Sequence, residues 1–207
     1  MKIGEEDAVS PVVGVMLMLV VTIIIAAVVS GFAGGIAGST RTAPQASIAV
    51  AIDTAVDNGM GGYDTKMTFE HLSGDPINTR DLKIITYFAN SSGYVYKHEQ
   101  TASSDATDLY GYGTLTRVPF LNDMRYGYSG NNPAKDFGNF TWKTGDILST
   151  GNVAGTAALL GMGFTRGAYP NPDTFDDPDF RPGAVVDVKI LHVPSGKYIY
   201  DREVVVR

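Results

Sequence analysis

From Ala8 through Thr40 no charged side chain interrupts the chain, and beyond Arg41 the pattern changes to short alternations of apolar and polar residues. The apolar positions of the first stretch do not form a stripe. Val12 to Val29 is apolar or small at nearly every position, with Thr22 the main departure. A run of that length suits a helix that crosses a bilayer core. Because every face is apolar, such a helix needs lipid or protein around it on all sides. Ser10 is a good N-cap, and Pro11 suits the first helical position, where its missing N–H has no partner to lose. The pattern predicts a helix from Pro11 to about Ile36, ~39 Å long at the helical rise per residue. Gly31, Gly34, Gly35 and Gly38 are expected to loosen and end it.

Small residues fall at helical spacing within this segment. Ala27, Gly31 and Gly35 recur every fourth position, and so do Ala26, Ser30, Gly34 and Gly38. Together with Gly14 they would let neighbouring helices approach closely. The plainer alternative is that Gly and Ala only terminate a membrane anchor. An ordinary secretory signal fits less well, because the residues before the run are net acidic and the run exceeds a usual signal core. Lys2 and Arg41 flank the run and balance one another, so the charges do not set an orientation.

Beyond a small-residue linker at 36–44 the period becomes two. Ile48, Val50 and Ile52 alternate with Ala49 and Ala51, and Met67 and Phe69 alternate with Lys66, Thr68 and Glu70. Leu82–Phe88, Tyr94–Lys97, Ala184–Val193 and Lys197–Val206 continue in the same manner. Turn residues separate these runs at Asn58-Gly59, Ser73-Gly74-Asp75-Pro76, Asn90-Ser91-Ser92-Gly93 and Pro194-Ser195-Gly196. Short strands with frequent turns predict an antiparallel β-sandwich, immunoglobulin-like in style, with its clearest hairpin at the C-terminus. No helical stripe of convincing length follows residue 40. The fold class is therefore α+β, a long apolar N-terminal helix followed by a β-sandwich head. A loop-rich insertion around 100–180 is expected to decorate that head.

Composition changes this picture in few places. The apolar run and the polar remainder average to a mean hydropathy near zero, which describes neither part. The formal charge of −6 and the scattered Lys and Arg argue against a nucleic-acid partner. The absence of cysteine excludes a disulfide scaffold, a thiolate metal site and a Cys nucleophile.

Candidate chemistry is thin. Asn90-Ser91-Ser92 and Asn139-Phe140-Thr141 are glycosylation sequons in loop-like surroundings. Asp173, Asp176, Asp177 and Asp179 crowd enough oxygen donors for Ca²⁺, but the spacing matches no EF-hand loop and prolines interrupt it, so a solvated acidic loop is expected. His71, His98 and His192 share no metal-ligand spacing. No nucleophile elbow, carboxylate pair or phosphate cradle is found, so no catalytic residue, metal or cofactor is assigned. Tyr110, Tyr112, Tyr126 and Tyr128 interleave with glycines, and they serve either an adhesive or intersubunit surface or the packing of their own loop.

The string Glu6-Asp7-Ala8-Val9-Ser10-Pro11-Val12-Val13-Gly14-Val15-Met16-Leu17-Met18 resembles the N-terminal motif of archaeal type IV pilins, euryarchaeal ones in particular. The resemblance covers about the first 36 residues. Glu70–Ile77 and Arg80–Ile84, with the closing hairpin, are similar to stretches of such pilin heads. The resemblance implies that a prepilin peptidase removes a leader, 1–8, cutting between Ala8 and Val9. It implies a helix, 9–38, that sits in the membrane and then packs in a filament core, and an extracellular head, 39–207. Asp7 stands where a basic residue often precedes the cut, and Val13 stands where many bacterial pilins carry glutamate. The implied partners are identical or related subunits, the peptidase, the pilus assembly machinery and, before assembly, the membrane. The implied role is that of a structural subunit in a surface filament serving attachment. A monomeric, membrane-anchored cell-surface binding protein is the alternative.

Overall fold

In the computed structural model of the chain the described residues are 11–37, 42–58, 61–168 and 171–207, with the backbone alone described for Pro11 and 31–37. The chain divides into two compact units, Met1–Arg41 and Thr42–Arg207. The described residues of the first form one helix, α1 (Pro11–Ala37), of 27 residues. Its described end, Ala37, lies one residue from the Ile36 expected from the pattern; Gly31, Gly34 and Gly35 lie inside the helix, and Gly38 lies outside the described residues. Backbone hydrogen bonding in an apolar run outweighs a glycine preference of about 1 kcal/mol per residue.

The second unit contains strands β1 (Ala46–Asp57), β2 (Tyr63–Gly74), β3 (Ile77–Asn78), β4 (Leu82–Ala89) and β5 (Val95–Gln100). These are followed by β6 (Thr107–Asp108), β7 (Leu115–Thr116), β8 (Phe120–Leu121), β9 (Thr141–Trp142) and β10 (Ile147–Ser149). Helix α2 (Val153–Leu160) precedes β11 (Phe164–Thr165), β12 (Thr174–Phe175), β13 (Val185–His192) and β14 (Lys197–Val205).

Two four-stranded antiparallel sheets dominate, ordered β1-β2-β10-β8 and β14-β13-β4-β5. Alternation decides which side chains meet between them. Met67 and Phe69 of β2 and Val186, Val188 and Ile190 of β13 are buried, and their neighbours in sequence are not. Both sets join one hydrophobic cluster with Ile52, Ile84, Phe88 and Leu148. The sheets are tied at one edge, where Thr54 N–H donates to Arg207 O at 2.8 Å and Arg207 N–H donates to Ile52 O at 2.9 Å. The C-terminal hairpin forms as the sequence predicts. Val193–Ser195 makes a single 3₁₀ turn and Gly196 closes it at φ 65°, a conformation that favours glycine.

Helix α2 was not legible from periodicity. Seven of its eight residues are buried, so it has no polar face and no stripe. It is bonded to both sheets: the Thr86 hydroxyl of β4 donates to Leu159 O at 2.7 Å, and Thr156 Oγ lies 3.1 Å from Thr65 O of β2. Asn152 caps its N-terminus by accepting from Gly155 N–H, and Asp64 accepts from Val153 N–H at 2.8 Å. Burial raises the Asp64 pKa above the usual carboxylate value, against the lowering effect of the Val153 and Thr65 N–H donors. Gly155 is required by close approach, because a Cβ there would run into the Thr150 carbonyl oxygen.

The loop-rich stretch at 100–180 is not a decoration. It supplies Leu109, Val118, Phe137, Trp142 and Leu159 to the core, and β8 and β10 to the first sheet. It reads as loop because its strands are two or three residues long, too short to display a period.

Candidate functional site

Helix α1 carries the first candidate site. No side chain from Val12 to Ser30 is buried, and the helix is long and apolar enough to cross a membrane. Met18 is 72% exposed and Ile24 is 56% exposed, although one lies about 120° from the other by way of the turn. All faces are therefore uncovered. The one strongly polar side chain within the run is satisfied internally, since the Thr22 hydroxyl donates to Leu19 O at 2.9 Å.

Gly14 answers no close approach within the described residues of the chain. A Cβ built on Gly14 would meet no atom within 4 Å. Gly14, Gly31, Gly34 and Gly35 together weaken the isolated helix by about 4 kcal/mol relative to alanine. Ala27 is exposed, and Gly31 and Gly35 continue from it at one-turn steps along the helix. At about 100° per residue, Gly14 lies roughly 140° round the helix from Ala27. The steps through Gly31 to Gly35 carry the small residues round to about 60° from Gly14, so they wind over an arc of the helix surface and not along one line, which suits a helix approached from more than one side. Ala8 and Val9 lie outside the described residues.

The two sequons differ in accessibility. Asn90 is half-buried at the β4–β5 turn. Its Oδ1 accepts from Ser92 N–H, the Ser92 hydroxyl and Tyr94 N–H at 3.1, 2.6 and 2.9 Å. Its Nδ2 donates to Asp177 at 2.9 Å. Asn139 and Thr141 are both exposed, and Asn139 Nδ2 makes one bond, to Pro133 O at 2.9 Å.

The acidic stretch is a set of loop staples. Asp177 accepts from Asn90 and from Asp179 N–H, and Asp179 accepts from the Ser91 hydroxyl and N–H. The Asn90 amide chiefly holds the Asp177 carboxyl below its ordinary pKa, and the Ser91 hydroxyl does the same for Asp179. Asp173 accepts from Gly167 N–H and pairs with Arg166 at 3.5 Å. The histidines are not brought together. His71 packs on Trp142 at 5.4 Å, His98 contacts Gln100, and His192 contacts the Ser195 hydroxyl at 2.8 Å.

A groove on the outer face of the first sheet is the second candidate site, and sequence reasoning reached only its rim. Alternation turns Lys66, Thr68 and Glu70 of β2 and Ser149 of β10 away from the core. Loop residues arch over them without closing, leaving a groove of about 450 Å³ lined by Tyr110, Tyr128, Asn122 and Lys135. A second groove of about 440 Å³ shares Lys66, Tyr110 and Gly151 with it and continues past Tyr63 and Tyr112. The outer face of the second sheet is different, a solvated charged surface. There Glu99 pairs with Lys83 and Lys97 at 2.9 and 2.8 Å, and Lys189 pairs with Asp187 and Asp201 at 3.2 and 2.6 Å.

The architecture defines a class first: a β-rich unit preceded in sequence by an apolar helix whose faces from Val12 to Ser30 are uncovered and whose Gly14 meets no other part of the described chain. Residues 7–48 match the family described as Archaeal Type IV pilin, N-terminal. The N-terminal segment of this chain is thus similar to that of archaeal type IV pilins, and the match ends just inside β1. No curated protein matches the chain.

Proposed function

We propose that the protein is a structural subunit of an archaeal type IV pilus-like surface filament, assembled through α1 and serving attachment. The observation that carries this reading is the helix itself, uncovered on every face from Val12 to Ser30 and carrying at Gly14 a glycine that no close approach within the described chain requires. Lipid tails are as apolar as leucine, so burial alone gives no gain when helices leave the bilayer for each other. Close packing supplies that gain, and glycine at Gly14, Gly31 and Gly35 admits it. In this account the leader Met1–Ala8 is removed by a prepilin peptidase, leaving Val9 first. Removal takes away Lys2, Glu5, Glu6 and Asp7, which changes the formal charge from −6 to about −4. The subunit resides in the membrane before assembly and in an extracellular filament after it. The family is a structural one, and the role proposed is not enzymatic.

The test is Gly31→Leu. The variant should fractionate with the membrane in normal amounts and give no filaments by electron microscopy. Normal filaments from it would sink the packing argument. Loss from the membrane would instead assign Gly31 to insertion.

A further inference from the structure

We propose that the groove across the outer face of the first sheet binds a carbohydrate chain, with tyrosine rings as platforms and lysine, carboxylate and amide groups for its hydroxyls. The inference deepens the attachment part of the reading above by naming the class of surface, and it is tested on unassembled protein so that the two can fail separately.

Four observations carry it. First, the tyrosines are turned outward. Tyr112 is 88% and Tyr128 80% exposed, and Tyr63 and Tyr110 are exposed beside them. The same loops fill their own core with Leu109, Phe120 and Phe137, so the tyrosines are not needed for packing. Second, the backbone that displays them is fixed. The Asp108 carboxylate accepts from the N–H groups of Tyr110, Gly111 and Gly113 at 3.2, 2.8 and 2.8 Å. Asn132 Nδ2 donates to Tyr126 O and Tyr128 O at 2.8 and 3.0 Å. Rings held this way lose little freedom on binding. A loop surface of Tyr, Gly, Ser and Asn combines rigid contact area with adaptable hydrogen bonding.

Third, Lys135 lines the groove and is 1% exposed. Its Nζ donates to Gly127 O at 2.7 Å and sits 5.8 Å over the Phe120 ring. This buried cation ties Gly127 to the groove wall and so fixes the loop that displays Tyr128, while the less buried Lys66 offers its donors to the groove. Fourth, the floor is mixed: Lys66, Thr68, Glu70 and Ser149 lie beside Val56 and Ile147. An apolar peptide or a lipid tail would leave the polar groups without partners. A nucleic acid would meet a chain of net charge −6. A sugar chain satisfies both demands, with C–H faces for the rings and hydroxyls for the floor. The continuation of one groove into the next suits a chain bound along its length.

The experiment uses the full-length chain in a detergent without a sugar headgroup, passed over immobilised cellulose, chitin, mannan and alginate. Wild type should be retained on at least one of these matrices. Tyr110→Ala combined with Tyr128→Ala should reduce retention at least tenfold. Tyr94→Ala, at an exposed ring on the edge of the other sheet, should leave it unchanged. Tyr110→Phe, which keeps the ring, should retain most binding, and Lys135→Met should weaken it severalfold. The fluorescence of Trp142, the only tryptophan, checks that each variant is folded. Absence of wild-type retention on all four matrices overturns the proposal, and so does undiminished retention by the folded double tyrosine variant.

Discussion

Gly14 offers a test in which one substitution has opposite effects on the free and the assembled chain. In the free chain a Cβ at this position meets nothing within 4 Å, so Gly14→Ala adds only helix propensity. That gain is about 1 kcal/mol, close to a fivefold rise in the local helix equilibrium. Gly14→Leu gains slightly less on the same scale and adds four carbons to an already uncovered face. Neither variant should weaken membrane retention, and circular dichroism in detergent should show equal or greater helix content. In the filament the comparison reverses. Small-residue contacts bring helix backbones together, and a leucine there must push them apart or shift the packing, at a cost of about 1–3 kcal/mol per contact. Because a filament repeats the contact at each subunit, even the lower figure should cut filament yield strongly. Filament counts by negative-stain microscopy, normalised to membrane-bound subunit, are the assay. If Gly14→Leu subunits assemble as well as wild type, the glycine is not a packing residue. Loss of helix content in detergent would refute the view that its environment is empty in the free chain.

Three further outcomes are expected from the head. His71 is fully buried with no hydrogen bond on either ring nitrogen. His71→Phe, which preserves the packing on Trp142, should be neutral or stabilising by about 1 kcal/mol in urea unfolding followed by circular dichroism, and a comparable loss would reveal a partner for the ring. Lys83 and then Lys97 hold the Glu99 carboxyl down from 4.5 to about 2. A lowered folded-state pKa contributes stability above the unfolded value and loses it as pH falls. The urea midpoint difference between wild type and Glu99→Gln should therefore be full above pH 4.5, shrink on acidification and vanish near pH 2. A difference that persists at pH 2 would mean that the ion pairs are not its source. Between the sequons, Asn139 is the one expected to carry glycan: intact mass of protein from its native host should drop with Asn139→Gln and not with Asn90→Gln, and the reverse pattern would show that the Asn90–Asp177 bond opens before modification.

What the sequence disclosed follows from which residues keep a period. Strands β2 and β13 each bury one face, so Met67/Phe69 and Val186/Val188/Ile190 stand out against their less buried neighbours, and Pro194-Ser195-Gly196 marks the turn between β13 and β14. Helix α2 exposes no face, and Ala154, Gly155, Thr156 and Ala157 are all small and buried, so no stripe betrays it. Its remaining marks were Asn152 at the cap and Gly161 in the left-handed C-terminal position. The core roles of Phe137 and Trp142 depend on contacts far along the chain and have no local signature. The same holds for the groove. Tyr110 and Tyr128 were visible as a composition, but Lys66 and Glu70 looked like the ordinary polar face of a strand until the loop was seen to arch over them. In α1 the spacing of the glycines is legible but their role is not, because a glycine carries the same local mark whether it loosens a helix end or admits a neighbour.

The account stands most directly on the intact mass of subunits taken from purified surface filaments. It predicts ordered filaments whose subunit begins at Val9, lighter than the full chain by the mass of Met1–Ala8. A product that keeps Met1 and remains monomeric would contradict it.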